Sequence, residues 1–293
     1  MKISTLGFGE AAYAFVSGWR ETPPFEDVER ISTFDIKIED PASKTVLMEA
    51  CDKLRVECAT DRNHAFANSD VIFSVVTADQ AQEAAISVAD DLEENALFFD
   101  CNSCSPATKV AVSKVLGKRG VRYVDVAVMA PVYPAKHMTP LLISGCHAQA
   151  AIPILEHLGM QANIAGEEVG QASTIKMLRS VMVKGLEALT AECLLAARKA
   201  GVEERVLASL QQSQPGIEWQ TRSSYNLERM MVHGKRRAAE MREVAATLSE
   251  LGLPNRMALS AMEWHDEIGA LLEKPGPDDL GQRADILLRN LYR

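Results

Sequence analysis

The first 165 residues alternate between two kinds of segment, and this alternation limits the possible folds more than any other feature. Runs rich in β-branched and aromatic residues occur at residues 3–6, 31–36, 71–76, 97–99 and 121–128. Helix-like stretches separate or follow them, at residues 10–19, 44–53, 80–90, 106–116 and 149–158. Strands and helices in alternation predict right-handed crossovers and a doubly wound parallel sheet covered by helices on both faces.

The strand signal ends near residue 165, and every later segment has a helical pattern. One long helix is predicted over residues 171–200, followed by helices at 203–212, 235–251, 257–272 and 278–291. Glycine and proline residues separate several of these segments, as is typical of helix ends. We therefore predict an α/β domain over residues 1–165 and an all-α domain over residues 166–293, joined by the long helix.

The composition excludes several classes of function. With 47% hydrophobic and 24% charged residues, the chain has the balance of a globular protein and not of a disordered one. Its net charge of −9 argues against nucleic acid and anionic membranes as partners. No apolar run reaches the roughly 18 residues of a membrane span, and the first residues lack a signal-peptide pattern. We expect a soluble cytoplasmic protein whose six cysteines are reduced.

A glycine-rich turn, Gly7-Phe8-Gly9-Glu10-Ala11-Ala12, connects the first predicted strand to the first predicted helix. It fits the pattern G-x-G-x-x-G/A, in which the first glycine allows a tight turn and the second lets a pyrophosphate approach the backbone. A glycine turn in some other α/β fold is the alternative interpretation. The position of the motif favours a Rossmann dinucleotide-binding domain that holds its cofactor with Gly7, Phe8, Gly9, Glu10, Ala11 and Ala12.

Asp35 ends the second predicted strand, about 20 residues after the glycine loop, where a ribose-binding carboxylate is expected. Such a carboxylate accepts hydrogen bonds from the adenosine hydroxyl groups and repels a 2′-phosphate. Asp35 therefore favours NAD. NADP stays open because Lys37 lies two positions further on, and a solvated strand end is the alternative for Asp35 itself.

Lys176 lies early on the long predicted helix and shares one face with Arg179 and Ser180, at i+3 and i+4. A lysine that is partly desolvated beside another cation has a lowered pKa, which suits general acid–base catalysis. The alternative is an exposed helix lysine. The spacing makes Lys176 a candidate for proton transfer.

The glycine loop, Asp35 and Lys176 together resemble the β-hydroxyacid dehydrogenase family. That family includes 3-hydroxyisobutyrate dehydrogenase, tartronate-semialdehyde reductase and, more distantly, 6-phosphogluconate dehydrogenases and imine reductases. The resemblance extends over the whole chain in the family's order. It implies hydride transfer between NAD(P) and a 3-hydroxy acid or sugar-acid alcohol, with Lys176 as general acid/base. It also implies a small carboxylate-bearing substrate and a homodimer formed through the C-terminal helices.

The same resemblance assigns roles to two loops. Residues 71–78 resemble the family's fourth strand and the loop after it, which places Val76 and Thr77 beside the cofactor. Residues 100–106 resemble the family motif D-x-S-T-x-x-P, which places Asn102 near cofactor and substrate, and Ser103 with it. The C-x-x-C pair of residues 101 and 104 falls inside this loop, so we favour the loop over a redox or zinc site and expect no metal.

Three departures from the family pattern bear on the substrate. Met129-Ala130-Pro131 replaces a Ser-Gly-Gly that binds the substrate carboxylate, and Pro131 has no N–H to donate. Arg179 stands where the family has an asparagine. Because a guanidinium binds carboxylates and phosphates bidentately, we expect Arg179 to compensate for the missing donors. Met129, Ala130, Pro131 and Arg179 are therefore candidate substrate contacts.

The third departure lies in residues 237–245, which resemble the run R-x-x-E-M-x-E-[IV]-A of a bacterial sub-branch with a distinct C-terminal domain. Carried over by position, Glu240 lies near the substrate with His233 and Arg237 close by. A solvated basic turn before a helix is the alternative for residues 233–237. The departures leave two other functions open, an imine or other C=X reductase and a non-catalytic nucleotide-binding protein.

Overall fold

The structure, a computed structural model, describes residues 1–22 and 28–291. Contacts within the chain divide it into two compact units, Met1–Lys176 and Met177–Arg293. The division falls inside a long helix, later in the chain than the domain boundary predicted between residues 165 and 166. The two units are described separately below as unit 1 and unit 2.

Unit 1 is built on one eight-stranded sheet with the strand order β3-β2-β1-β4-β5-β6-β7-β8. The strands are β1 (Lys2–Leu6), β2 (Arg30–Phe34), β3 (Glu57–Cys58), β4 (Val71–Ser74), β5 (Leu97–Asp100), β6 (Arg122–Val128), β7 (Leu141–Ser144) and β8 (Ala162–Gly166). The central strands are buried on both faces, which is why they have continuous apolar runs. The predicted doubly wound sheet is confirmed.

Two features of the sheet differ from the prediction. β7 runs antiparallel to β6, so the sheet is not wholly parallel. β3, β7 and β8 were not predicted as strands, because β3 has only two residues and β8 is a largely exposed edge strand with little apolar pattern. β7 is a short run between Pro140 and Gly145 and lacks the length of a clear signal.

Helices cover both faces of this sheet. They are α1 (Glu10–Glu21), α2 (Pro41–Leu54), α3 (Arg62–Phe66), α4 (Ala81–Ser87), α5 (Pro106–Gly117) and α6 (Ala148–His157). α5 begins as its sequence predicts, because the Ser105 hydroxyl accepts a hydrogen bond from the Thr108 amide and Pro106 occupies the first turn. The strand order reverses between β1 and β4, and ligands of open α/β sheets bind at such a reversal.

Unit 2 is all helical among its described residues. Its elements are α7 (Gln171–Lys199), which begins in unit 1, α8 (Glu203–Ser213), α9 (Trp219–Glu250), α10 (Arg256–Ala270) and α11 (Leu280–Leu291). One apolar cluster includes Leu194, Leu227 and Met230, and a second includes Met241 and Val244. The all-α character predicted for this part of the chain is confirmed.

α9 is one continuous helix, so the predicted helix start at residue 235 and the basic turn before it are wrong. The misleading residue is Gly234, which the sequence suggests as a break. A Cβ atom on Gly234 would lie 2.6 Å from the Gly269 Cα atom of α10. Glycine is therefore required at this position for the close approach of two helices and does not mark a turn.

Candidate active site

The glycine loop lies at the carboxyl end of β1, next to the strand-order reversal. Gly7 has φ of +88°, a left-handed conformation that favours glycine. A Cβ atom there would lie 2.8 Å from Val76 Cγ1. The Gly7 amide donates to the Phe34 carbonyl at 2.8 Å. The loop is thus held between the ends of β2 and β4, and Val76, a predicted cofactor contact, lies beside it.

Gly9 is the cap residue that precedes α1. Apart from Gly9 and its chain neighbours, no atom of the described residues lies within 4 Å of the position that a Cβ atom on Gly9 would occupy. Among the described residues, no side chain caps this helix end. The positive end of the helix dipole lies at this uncapped helix start, which fits a pyrophosphate. Ala12 is fully buried, so α1 packs closely on the sheet.

Asp35 is positioned by the glycine loop itself. Its carboxylate accepts hydrogen bonds from the amides of Phe8 at 2.8 Å and Lys37 at 3.0 Å, one on each oxygen. Because a carboxylate oxygen has two lone pairs, each oxygen keeps one acceptor position. This arrangement fits the paired hydroxyl groups of a ribose, and only 9% of the residue is exposed.

Asn102 presents a buried acceptor in the loop after β5. Its side-chain amide group donates to Ser74 Oγ and to Asp100 Oδ1, both at 2.8 Å. Its Oδ1 atom is buried and has no hydrogen-bond partner in the described parts of the chain. Since buried polar atoms are nearly always paired, this oxygen fits a donor such as a carboxamide or hydroxyl group of a bound dinucleotide.

Lys176 and Ser103 form the candidate reaction centre. The Lys176 ammonium donates to Ser103 Oγ at 2.7 Å, although the two residues lie 73 positions apart in sequence. Both side chains are half-buried. The structure therefore brings together two residues that were predicted separately, one from the D-x-S-T loop and one from the start of α7.

The first turn of α7 is fixed by Asp125, which is not among the predicted site residues. This fully buried carboxylate accepts from the Gly170 amide at 3.0 Å, the Ser173 amide at 3.1 Å and Ser173 Oγ at 2.6 Å. It also accepts from Ser144 Oγ at 3.1 Å. Asp125 thus caps α7 from a distant strand, one turn before Lys176.

The loop after β6 offers few polar groups. The Met129 amide donates to the Pro140 carbonyl at 2.9 Å, and Pro131 has no amide hydrogen. Ala130 keeps an amide that no hydrogen bond in the described residues occupies, and its side chain is exposed. Of the three predicted substrate contacts in this loop, Ala130 therefore offers the free backbone donor.

The remaining predicted substrate residues lie on the helices of unit 2. Arg179 is exposed on α7, one turn after Lys176. On α9, Glu240 pairs with Lys184 at 2.8 Å. Arg237 Nε donates to Glu187 Oε2 at 2.7 Å, and a second bond joins its Nη2 to Oε1. Burial, together with Arg229, Arg236 and Arg237, lowers the pKa of His233 to about 4, so this imidazole is neutral near pH 7.

The cysteines near the site are free thiols. Burial raises the pKa of Cys101 to about 12, and its Sγ lies 3.8 Å from the Phe99 carbonyl. Cys104 Sγ donates to the Ala78 carbonyl at 3.4 Å. Within the described residues, no group of three or more His, Cys, Asp or Glu side chains is placed to hold a metal ion. None of the described helices combines the length and apolar character needed to cross a bilayer.

Comparisons with known proteins agree with this geometry. Residues 32–166 match the NAD binding domain of 6-phosphogluconate dehydrogenase, and residues 197–268 match a domain of unknown function, DUF1932. A conserved hypothetical protein from Sinorhizobium meliloti 1021 is 35% identical, with a TM-score of 0.74 over 99% of this chain and 96% of that one.

Two 3-hydroxyisobutyrate dehydrogenases are more distant. That of Pseudomonas aeruginosa is 27% identical over 52% of this chain and 53% of its own length. That of Mycobacterium tuberculosis is 15% identical with a TM-score of 0.73, covers 98% of each chain, and is similar in fold alone.

Unit 1 is therefore an NAD(P)-binding Rossmann domain, and its residues fit a dinucleotide. The chain belongs to the 3-hydroxyisobutyrate dehydrogenase and 6-phosphogluconate dehydrogenase-like superfamily of NAD(P)-dependent dehydrogenases and reductases, in the branch with a DUF1932 C-terminal domain. The predicted family and cofactor class are confirmed. Because the NAD-binding match begins inside β2, the ligand assignment of the glycine loop rests on the geometry described above.

Proposed function

We propose that the protein transfers hydride between NAD and the alcohol of a 3-hydroxy acid or sugar acid, with Lys176 as general acid/base. The observation that carries this proposal is the 2.7 Å contact between the Lys176 ammonium and Ser103 Oγ. Asn102, the residue before Ser103, has a buried Oδ1 atom with no partner among the described residues. When bound, the nicotinamide accepts the hydride or returns it. The protein supplies alignment, charge and a route for the proton.

Lys176 takes the hydroxyl proton as the carbon–hydrogen bond breaks and returns it in the reductive direction. In its charged form it also stabilises the negative charge that develops on the substrate oxygen. Ser103 holds the lysine amine in place. Its hydroxyl can accept from Lys176 while donating to the same substrate oxygen.

In this proposal, Arg179 binds the substrate carboxylate. The residues that replace the family's Ser-Gly-Gly offer one free amide, that of Ala130, whereas Arg179 is an exposed guanidinium one turn after Lys176. A fork of N–H donors binds a carboxylate through two parallel hydrogen bonds. His233, Arg237 and Glu240 stay proposed substrate contacts, although Arg237 and Glu240 already have ionic partners on α7.

A side-by-side fluorescence titration with NADH and NADPH tests the cofactor proposal. NADH should bind more tightly, because Asp35 repels a 2′-phosphate. Asp35→Asn should bring the two dissociation constants closer, by about 10-fold, since about 1.4 kcal/mol of repulsion corresponds to that factor. Asp52→Asn, on the exposed side of α2, serves as the control. Tighter binding of NADPH to the wild-type protein would contradict the NAD assignment.

A substrate panel tests the reaction proposal. We expect NAD-dependent oxidation of 3-hydroxy acids and no reduction of cyclic imines, because a lysine ammonium repels an iminium. Preferential imine turnover would support a C=X reductase. Tight NADH binding with no turnover of either class would support a non-catalytic nucleotide-binding protein.

We further propose that unit 2 forms a homodimer. Leu178, Met182, Leu186 and Leu189 form an apolar stripe along α7 and are 40%, 65%, 40% and 49% exposed. Such a stripe is typical of a helix that packs against another copy. Sedimentation should therefore give twice the chain mass of 32.0 kDa. Met182→Glu should shift the protein towards the monomer, whereas Val46→Glu on α2 should not; a wild-type monomer would contradict the proposal.

A further inference from the structure

Lys109 is a fully buried lysine that the proposed reaction does not use. It lies on α5 with no exposed surface. Its ammonium donates to the backbone carbonyl of Asp100 at 2.6 Å and to Asp100 Oδ1 at 2.8 Å. Asp125 Oδ1 lies 3.6 Å from the same nitrogen. One buried cation is thus shared by two carboxylates on residues that pair with each other across the neighbouring strands β5 and β6.

The two carboxylates of the trio of Lys109, Asp100 and Asp125 hold the lysine in its charged form. Burial alone would lower the pKa of Lys109, but Asp100 and Asp125 together raise it above its ordinary value. Burial and the same two carboxylates raise the pKa of Tyr123, which therefore stays a phenol. Its hydroxyl donates to Asp100 Oδ2 at 2.6 Å. The ammonium of Lys109 is the cation that both carboxylates share.

Each carboxylate of the trio holds one side of the candidate reaction centre. Asp100 Oδ1 accepts from the backbone amide of Asn102 at 3.1 Å and from its side chain at 2.8 Å, which fixes the loop that carries Ser103. Asp125 caps the first turn of α7, which carries Lys176. The Ser103–Lys176 contact therefore joins two segments that are both anchored, through a carboxylate, to Lys109.

We propose that Lys109 is a positioning residue for proton transfer, whose ammonium fixes the loop of residues 101–105 and the start of α7 in the register that brings Ser103 to Lys176. This inference rests on the proposed function where it concerns catalysis. The placement of Lys176 does not depend on any substrate, so the positioning role of Lys109 and the proposed function can fail separately.

The test compares Lys109→Met, which keeps an unbranched side chain one atom shorter and removes its charge, with Lys114→Met on the exposed face of the same helix. Reductive methylation with ¹³C-formaldehyde places ¹³C-methyl groups on accessible lysines, and each labelled lysine gives an NMR signal. The signal of Lys176 is identified as the one that is absent from the spectrum of Lys176→Arg. We expect this signal to move from its wild-type position in Lys109→Met and to stay in place in Lys114→Met. An unmoved signal in folded Lys109→Met would overturn the proposal.

Kinetics give the second measurement. For any hydroxy acid that the wild-type protein oxidises, Lys109→Met should lower kcat by about 10- to 100-fold, because small displacements of reacting groups have effects of this size. The dissociation constant of NADH should stay within about twofold, since the pyrophosphate end of the site is untouched. An equal loss in kcat and in NADH affinity would indicate a general structural role. Absence of wild-type turnover would count against the proposed function, and the Lys176 signal would still decide the role of Lys109.

Lys109→Met leaves two buried carboxylates without a cation and risks misfolding. Lys109→Met/Asp100→Asn restores the net charge of the wild-type trio while leaving out the ammonium that joins the strands. The same two measurements apply to it, with the same expected results. Failure of both variants to fold would overturn the proposal in favour of a role confined to folding.

Discussion

Lys176→Ala is expected to lower kcat for hydroxy-acid oxidation by about 10²- to 10⁴-fold, the range for removal of a positioned proton-transfer group. The Lys176 ammonium contacts Ser103 Oγ at 2.7 Å. Among the described hydrogen bonds, no second acid or base contacts Ser103, so the variant has no group there to transfer the proton. The dissociation constant of NADH should change by no more than about twofold, since the pyrophosphate binds at the N-terminus of α1. Steady-state kinetics and a fluorescence titration on the same preparation measure both.

Three further variants make this prediction specific. Lys176→Arg keeps a positive charge but cannot release a proton near neutral pH, so it should be nearly as inactive as the alanine variant. Ser103→Ala removes only the group that orients the lysine and should have a smaller effect, about 10-fold. Lys53→Ala, at an exposed position on α2, should leave kcat unchanged. Full activity of Lys176→Ala with normal cofactor binding would exclude Lys176 as the acid/base.

The cofactor end of the site could be predicted because its chemistry is local in sequence. Gly7, Gly9 and Ala12 act through their own backbone or small size, and Asp35 follows the strand beside them. A pattern of a few residues therefore carries the information. What the pattern did not reveal is that Asp35 also holds the loop, through the amide of Phe8, so the carboxylate proposed to bind the ribose also shapes the turn.

The reaction centre was only partly predictable, because its supports lie far apart in sequence. Asp125 and Ser173, which are hydrogen-bonded, lie 48 positions apart. From sequence alone, a helix lysine such as Lys109 is expected to be solvent-exposed, although its side chain is fully buried. Likewise, the sequence predicts that Glu240 lies near a substrate with Arg237 close by, but it does not show that their side chains pair with Lys184 and Glu187 on α7. A pattern on one segment cannot show which partner another segment will supply.

The sheet illustrates the same limit. Strands buried on both faces, such as β4 and β5, have apolar runs that were predicted closely. The direction of β7 depends instead on its connection. A parallel neighbour needs a crossover, usually through an α-helix, whereas residues 129–140 return from β6 with only a short 3₁₀ turn at Lys136–Met138. β7 therefore pairs antiparallel with β6.

Asp125→Ala should lower the free energy of unfolding by about 3 to 5 kcal/mol, the range for removing one partner of a buried ionic network. The carboxylate is fully buried and accepts from Ser144, Gly170 and Ser173 through four hydrogen bonds. Its removal leaves two amides at the start of α7 without an acceptor, and such unsatisfied buried donors are costly. Urea unfolding followed by circular dichroism measures the change.

Two comparisons separate the loss of charge from the loss of the cap. Asp125→Asn keeps one acceptor oxygen for the helix end and should lose about half as much stability as Asp125→Ala. Asp40→Ala removes the carboxylate that caps α2 through the amides of Ala42 and Ser43, but at an exposed position where water replaces the lost acceptor, so its effect should be much smaller. If Asp125→Ala unfolded at the same urea concentration as the wild-type protein, the carboxylate would not anchor α7, and the placement of Lys176 would have to depend on other contacts.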